Sequence, residues 1–162
     1  MHPDPPLIGR ALLVSESVTA LVGGRLAELL APGDSVFLEG ELGAGKSTLA
    51  RSVLRSMGWT GSVRSPSYAL AHSYPTPRGL VHHLDLYRIR SLDEALGLDL
   101  DPFASDGSIC LVEWPDRLRG SLDPVWSIRL EIEGDGRRME LRGPPRPGSE
   151  AILAHLNQET RP

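Results

Sequence analysis

An α/β fold, with a mostly parallel sheet flanked by helices and an antiparallel hairpin, is what this sequence predicts. Three observations carry the prediction. The stretch "DSVFLEGELGAGKSTLARSVLRSMG" runs from an apolar strand through a glycine-rich loop into an amphipathic helix. Two further strand patterns, "LVHHLDLY" and "SICLVEW", carry a carboxylate where the apolar run ends. "VWSIRLEIEGDGRRMELRG" alternates about Gly134-Asp135-Gly136, which reads as a hairpin. A chain of 162 residues, 40% hydrophobic and 23% charged, suits one domain over residues 1–162, with 1–6 and 158–162 expected to fray.

Taken in order, "ALLVS" reads as the first strand. A helix follows through "SESVTALVGGRLAELLAPGD", with a capping serine and Val18, Leu21, Val22, Leu26 and Leu29 as its apolar positions. Gly23 and Gly24 weaken it, because glycine in a helix interior gives up about 1 kcal/mol relative to alanine. The helix of "KSTLARSVLRSMG" places Leu49, Val53, Leu54 and Met57 at helical spacing before Gly58 stops it. "TGSVRSPSY" is a loop rich in serine and proline. "YALAHSY" and "LVHHLDLY" read as two strands joined by the turn "PTPRG". A short helix in "SLDEALGLDL" begins at a capping serine, "DPFASDG" is irregular, and "GSEAILAHLNQE" forms a terminal helix after "GPPRPG".

The loop itself is Gly40-Glu41-Leu42-Gly43-Ala44-Gly45-Lys46-Ser47, a full match to G-x-x-x-x-G-K-[ST]. Glycines let the backbone turn sharply and bring its N–H groups against phosphate oxygens, where a Cβ would intrude. Lys46 would reach the outer phosphates and the Ser47 hydroxyl would ligate Mg²⁺. Lys46 is also the only lysine among 17 basic residues, so its position is not a by-product of composition. A nucleotide-hydrolysing site needs an acid near the metal, at the end of a strand beside the loop strand. Asp85 and Glu113 both qualify: either could hold Mg²⁺ directly or through water while the other orients the attacking water or acts as base. Adjacent His82 and His83 point to opposite strand faces and lack zinc spacing, so at most one faces the nucleotide. Trp114, next to Glu113, could stack on a ring, gate the site or pack.

A net charge of −4 and a pI near 5.7 argue against broad electrostatic binding of a nucleic-acid backbone. The single cysteine, Cys110, allows no internal disulfide and sits in an apolar run as a small hydrophobe. No run approaches the 18 or so apolar residues of a membrane helix, and "MHPDPPLIGR" lacks the apolar centre of a signal peptide. The expectation is a cytoplasmic protein without a membrane partner.

Four blocks in order, "GELGAGKST", "SPSYAL", "HHLDLYRI" and "LVEWPDRL", resemble the TsaE family, formerly YjeE, the ATPase component of bacterial tRNA threonylcarbamoyladenosine biosynthesis. The likeness runs from about Leu12 to the hairpin near Leu141. It implies a P-loop NTPase-type fold whose ATP site is built from Gly40 to Thr48, with Ser47 and Glu113 around Mg²⁺ and Asp85 as the catalytic acid. Ser65-Pro66-Ser67-Tyr68 resembles the family's switch segment near the γ-phosphate, and Arg137 and Arg138 fall where the family has a basic residue near the nucleotide. The resemblance further implies docking on the complex of TsaD and TsaB, with ATP hydrolysis supporting repeated turnover and tRNA contacted indirectly. Two departures stand out. Tyr68 and Ala69 replace the usual Phe and second Thr of the switch block, so a hydroxyl role at Ala69 cannot apply; Ser47 replaces the usual Thr and keeps the metal-ligating oxygen.

Three other readings are distinguishable. A P-loop small-molecule kinase would pass phosphate to a metabolite, with "YRIRSLDEALGLDLDPF" as its arginine-bearing lid. A GTPase reading guanine through N-K-x-D needs an Asn and a Lys, but the only Asn is Asn157 and the only Lys is already in the loop. A nucleotide kept as a structural ligand would leave the two strand-end acids without a task.

Overall fold

The computed structural model describes residues 3–64, 70–91, 93–94, 107–154 and 156. Its strands are β1 (Leu7–Leu13), β2 (Ser35–Glu39), β3 (Ala71–Thr76), β4 (Gly79–Asp85), β5 (Ile109–Glu113), β6 (Trp126–Glu133) and β7 (Gly136–Arg142). The helices are α1 (Glu16–Leu29), α2 (Lys46–Ser56) and α3 (Ala151–Ala154), with a 3-10 turn at Pro115–Leu118. One seven-stranded sheet holds them in the order β1-β7-β6-β2-β5-β4-β3.

The centre of that sheet is parallel, because β2 pairs with both β5 and β6 and β4 pairs with β5 in the same direction. The flanks are antiparallel: β6–β7–β1 on one side and β4–β3 on the other. Burial on both faces explains why β2 and β5 read as near-continuous apolar runs. Their pleat divides the core. Val36, Leu38 and Leu111 join the cluster under α1, α2 and α3, whereas Phe37, Cys110 and Val112 pack with Leu84, Leu86, Ile89 and Leu118 on the opposite face.

Helix α1 starts where the capping serine places it, with the Val18 N–H donating to Ser15 Oγ at 3.2 Å. Its glycines are explained by what lies across from them. A Cβ on Gly23 would sit 2.5 Å from Ser52 Cβ of α2, so glycine is what lets the two helices touch. Leu21, placed by its spacing on the apolar side, is instead 47% exposed, while Val22 and Leu26 are buried. Leu49, Val53, Leu54 and Met57 are all buried, and Gly58 follows with φ 98°.

Three local expectations change. The turn expected over "PTPRG" shrinks to Pro77-Arg78, because β3 continues through Pro75 and Thr76; β3 is an edge strand, where proline's missing N–H breaks no ladder. Strand β1 begins at Leu7, earlier than "ALLVS" suggested. Residues 4–6, expected to be loose, are held: Arg119 pairs with Asp4, and the Gly143 N–H donates to the Pro6 carbonyl at 2.9 Å. At "SLDE" the Glu94 N–H donates to Ser91 Oγ at 3.1 Å, as a serine cap does. Most of that helix, the switch-type loop with Ser65, Pro66, Ser67, Tyr68 and Ala69, and residues 157–162 lie outside the described residues.

Candidate phosphate-binding site

The site forms where β2, β4 and β5 end side by side. Register places Leu38 and Asp85 on either side of Glu113, so the parallel pairing alone brings both predicted carboxylates to the carboxyl edge of the sheet. Beyond β2 the chain turns at Gly40, with φ 145°, where a Cβ would lie 2.4 Å from the Leu130 carbonyl oxygen. Gly45, with φ 103°, hands the chain to α2. The first N–H groups of a helix have no partner within it, so this terminus presents donors and a partial positive charge. Ala44 is buried beneath the loop, and its N–H donates to the Glu41 carbonyl at 3.1 Å.

Lys46 opens α2 and arches over the loop. Its Nζ donates to the carbonyls of Gly40 at 2.6 Å and Glu41 at 2.9 Å, and it lies 4.3 Å from the centre of a Trp114 ring. Two of three ammonium hydrogens are thereby used, leaving one for a ligand. Burial lowers the Lys46 pKa below the usual lysine value, and the charges of Glu113, Asp85 and Glu41 pull the other way. Ser47 Oγ donates to Glu113 Oε1 at 3.0 Å and lies 3.3 Å from Oε2. His83 Nε2 meets the same Oε1 at 2.8 Å. The Tyr87 N–H donates to Asp85 Oδ1 at 3.0 Å, and the Tyr87 ring sits 4.9 Å from that of Trp114. Trp114 itself has a left-handed backbone, φ 57°, which breaks β5 and swings the indole back across Lys46.

These groups line a cleft of about 260 Å³, from Leu42, Gly43 and Gly45 through Lys46, Ser47 and Thr48 to Asp85, Tyr87, Glu113 and Trp114. A larger hollow of about 600 Å³ lies on the other side of Trp114. Glu39, Glu41, Asp116 and Glu131 line it together with Arg129, which pairs with Glu39 at 2.8 Å, so the balance of charge there is acidic and suits a polyphosphate less well than the cleft at Lys46. Arg137 approaches the loop from β7, its Nη2 donating to the Gly43 carbonyl at 3.0 Å, and its Nε has no hydrogen-bond partner among the described residues. Arg138 turns away to pair with Glu133 at 2.7 Å.

The donor set suits Mg²⁺. A serine hydroxyl and a carboxylate in contact are hard oxygen ligands, and Mg²⁺ takes one or two such groups while water and substrate phosphates fill the rest of its shell. Among the described residues no group of three or more His, Cys, Asp or Glu could hold a metal alone. The two histidines part as strand alternation requires: His82 Nδ1 meets Ser73 Oγ at 2.8 Å, and His83 faces Glu113. Sequence reasoning left unassigned both the His83 contact and the place of Tyr87 in the cleft. The signal for each was present, since both lie two residues from Asp85, one on either side.

The model of the family described as threonylcarbamoyl adenosine biosynthesis protein TsaE matches residues 13–140, a span that includes every residue of this site. The chain belongs to the TsaE family. Three proteins, each named tRNA threonylcarbamoyladenosine biosynthesis protein TsaE, show the same likeness. The one from Haemophilus influenzae is 36% identical over 124 residues, 75% of this chain and 78% of that protein. The Streptomyces coelicolor protein is 41% identical over 70% of this chain and 76% of its own length, and the Bacillus subtilis protein 37% over 77% and 78%. The crystal structure of Bacillus subtilis YdiB superposes with a TM-score of 0.68 at 25% identity, covering 94% of this chain and 96% of that one. TsaE membership ties the protein to the threonylcarbamoyladenosine modification of tRNA. Among the described residues no helix is long and apolar enough to cross a membrane.

Proposed function

We propose that the protein is a Mg²⁺-dependent ATPase of the cytoplasm that docks on the TsaB–TsaD complex and supports its turnover in threonylcarbamoyladenosine formation on tRNA. The observation that carries this reading is the Ser47–Glu113 contact of 3.0 Å, held beside Lys46 at the mouth of a P-loop. A structural turn has no use for a hydroxyl and a carboxylate aligned at a helix N-terminus; a triphosphate with its cation does.

Each residue then has a definable task. Gly40, Glu41, Leu42, Gly43, Ala44 and Gly45 shape the backbone that wraps the phosphates, with Thr48 the third residue of α2. Lys46 supplies the remaining N–H and the charge, and Arg137 adds a second cation at the Gly43 edge. Ser47 and Glu113 are the groups that would hold Mg²⁺, which when bound draws charge from the phosphate oxygens. Glu113 is the carboxylate in contact with Ser47 and Asp85 stands next to it, so Asp85 is assigned to the attacking water, as orienter or base. The net charge of −4 accords with a subunit that meets protein and leaves tRNA to its partners.

The test is phosphate release from Mg·ATP, measured with and without TsaB and TsaD and alongside threonylcarbamoyl transfer to tRNA. Hydrolysis is expected to track repeated rounds of transfer. Asp85→Ala is expected to bind ATP yet lose turnover by at least about 100-fold, the scale of a lost general base. Full turnover in that variant refutes the role of Asp85, and phosphate appearing on a metabolite would favour the small-molecule kinase.

A further inference from the structure

We propose that His83 is a positioning residue for Glu113, fixing the carboxylate that faces Ser47 and so setting how tightly the site binds Mg²⁺ with its nucleotide. The inference rests on the reading above, in which Ser47 and Glu113 hold the cation.

The contact is direct and dry. His83 Nε2 lies 2.8 Å from Glu113 Oε1, and the two side chains are 1% and 4% exposed. A carboxylate oxygen only accepts, so the hydrogen between them is on Nε2. Glu113 Oε1 therefore receives two donors, His83 Nε2 from β4 and Ser47 Oγ from the start of α2. Among the described residues Oε2 has the longer contact with Ser47, at 3.3 Å. Two donors on one oxygen pin the carboxyl plane, which a hydroxyl alone, free to rotate, would not.

The other side of the imidazole argues that this contact is why a histidine stands here. His83 Nδ1 is buried and has no hydrogen-bond partner among the described residues. Leaving a buried polar atom unmet is unfavourable, and an apolar residue of similar size would pack in β4 without that penalty. Core packing thus does not account for His83, whereas an outer partner that orients a metal-holding carboxylate does. The arrangement also comes directly from strand geometry. His83 and Asp85 share one face of β4, and β4 lies parallel beside β5, so a histidine two residues before the strand-end acid of one strand reaches the acid that ends the next.

The experiment is calorimetric binding of adenylyl imidodiphosphate across a Mg²⁺ titration and in EDTA, for wild type, His83→Leu, His83→Gln, Glu113→Gln and the double variant His83→Leu with Glu113→Gln. Thermal unfolding of each checks that it is folded. The expected result is that His83→Leu needs about 10–100-fold more Mg²⁺ for half-maximal strengthening of binding, the usual loss when an outer partner of a metal ligand is removed. Its binding in EDTA should match wild type. Glutamine can place an amide N–H near the position of Nε2, so His83→Gln should recover most of the loss. In the Glu113→Gln background, His83→Leu should change the Mg²⁺ dependence no further. A His83→Leu variant with wild-type Mg²⁺ dependence, or one that weakens binding equally with and without the metal, overturns the proposal alone. If wild-type binding is indifferent to Mg²⁺, the metal role of Ser47 and Glu113 falls, and this inference with it.

Discussion

Lys46 shows how a single residue serves function at the expense of stability. It is buried at the mouth of the cleft, and burial holds its pKa below the usual 10.5 despite three neighbouring carboxylates. A lysine whose folded pKa lies below its unfolded one disfavours folding while it is charged, and that penalty fades as pH rises through the folded pKa towards 10.5. Wild type should therefore gain stability relative to Lys46→Met as pH rises above neutrality, a trend that urea unfolding at several pH values would reveal. The same variant should lose nucleotide affinity at neutral pH. A stability difference that stays flat with pH would show that Lys46 is not desolvated. At this scale the site was largely legible: Lys46, Ser47, Asp85 and Glu113 come together as their motif positions predict. His83 and Tyr87 were not assigned, because their spacing from Asp85 gains meaning only once β5 is known to lie beside β4.

At the scale of elements, the strand and helix patterns were readable where both the hydrophobic period and the stop signal were strong, as in β2, α2 and β5. Helix α1 is a contrary case, in which helix propensity argued against a segment that the partner helix requires. Gly23 makes the contact with α2 close, so an added side chain must push the helices apart. Gly23→Val should destabilise the fold by about 1–3 kcal/mol, the usual penalty for overpacking, although it removes a helix-weakening glycine. Chemical denaturation would measure it, and an unchanged midpoint would mean that α1 shifts freely over α2. Because α2 begins at Lys46, nucleotide binding in that variant should also weaken. The edge strands were harder to read. Proline within β3 and a start of β1 ahead of its apolar run are tolerated because edge positions lack one set of neighbours.

Across the whole molecule, Asp34 ties the start of the P-loop strand to the segment after β7. It is buried, and it accepts from Arg146 Nη1 on one oxygen and from Arg146 Nη2 at 2.8 Å on the other, from Trp126 Nε1 at 3.1 Å and from the Ala31 N–H at 2.9 Å. Burial raises its pKa, but these donors and the Arg146 charge outweigh it and leave the carboxyl below 3.8. A depressed carboxylate adds stability above its unfolded pKa and loses it as pH falls through the folded one. Asp34→Asn should lose about 1–3 kcal/mol at neutral pH, the scale of weakened charge-assisted hydrogen bonds to an arginine that is itself part-exposed. Its unfolding free energy should then vary less than wild type below pH 3.8, which acid titration followed by fluorescence would check. Equal acid sensitivity in the two proteins would rule Asp34 out as a source of that stability. By itself the sequence determined the P-loop, the strand-end acids and the α/β class, because each rests on local spacing that one strand or one helix expresses. Only the tertiary structure decided that Glu113 meets Ser47 while Asp85 stands beside it, that His83 completes the group, and that Arg137 alone of the arginine pair turns to the loop. Those outcomes depend on which strands are neighbours and in what register, and pairing between segments far apart in the chain leaves no periodic trace in either.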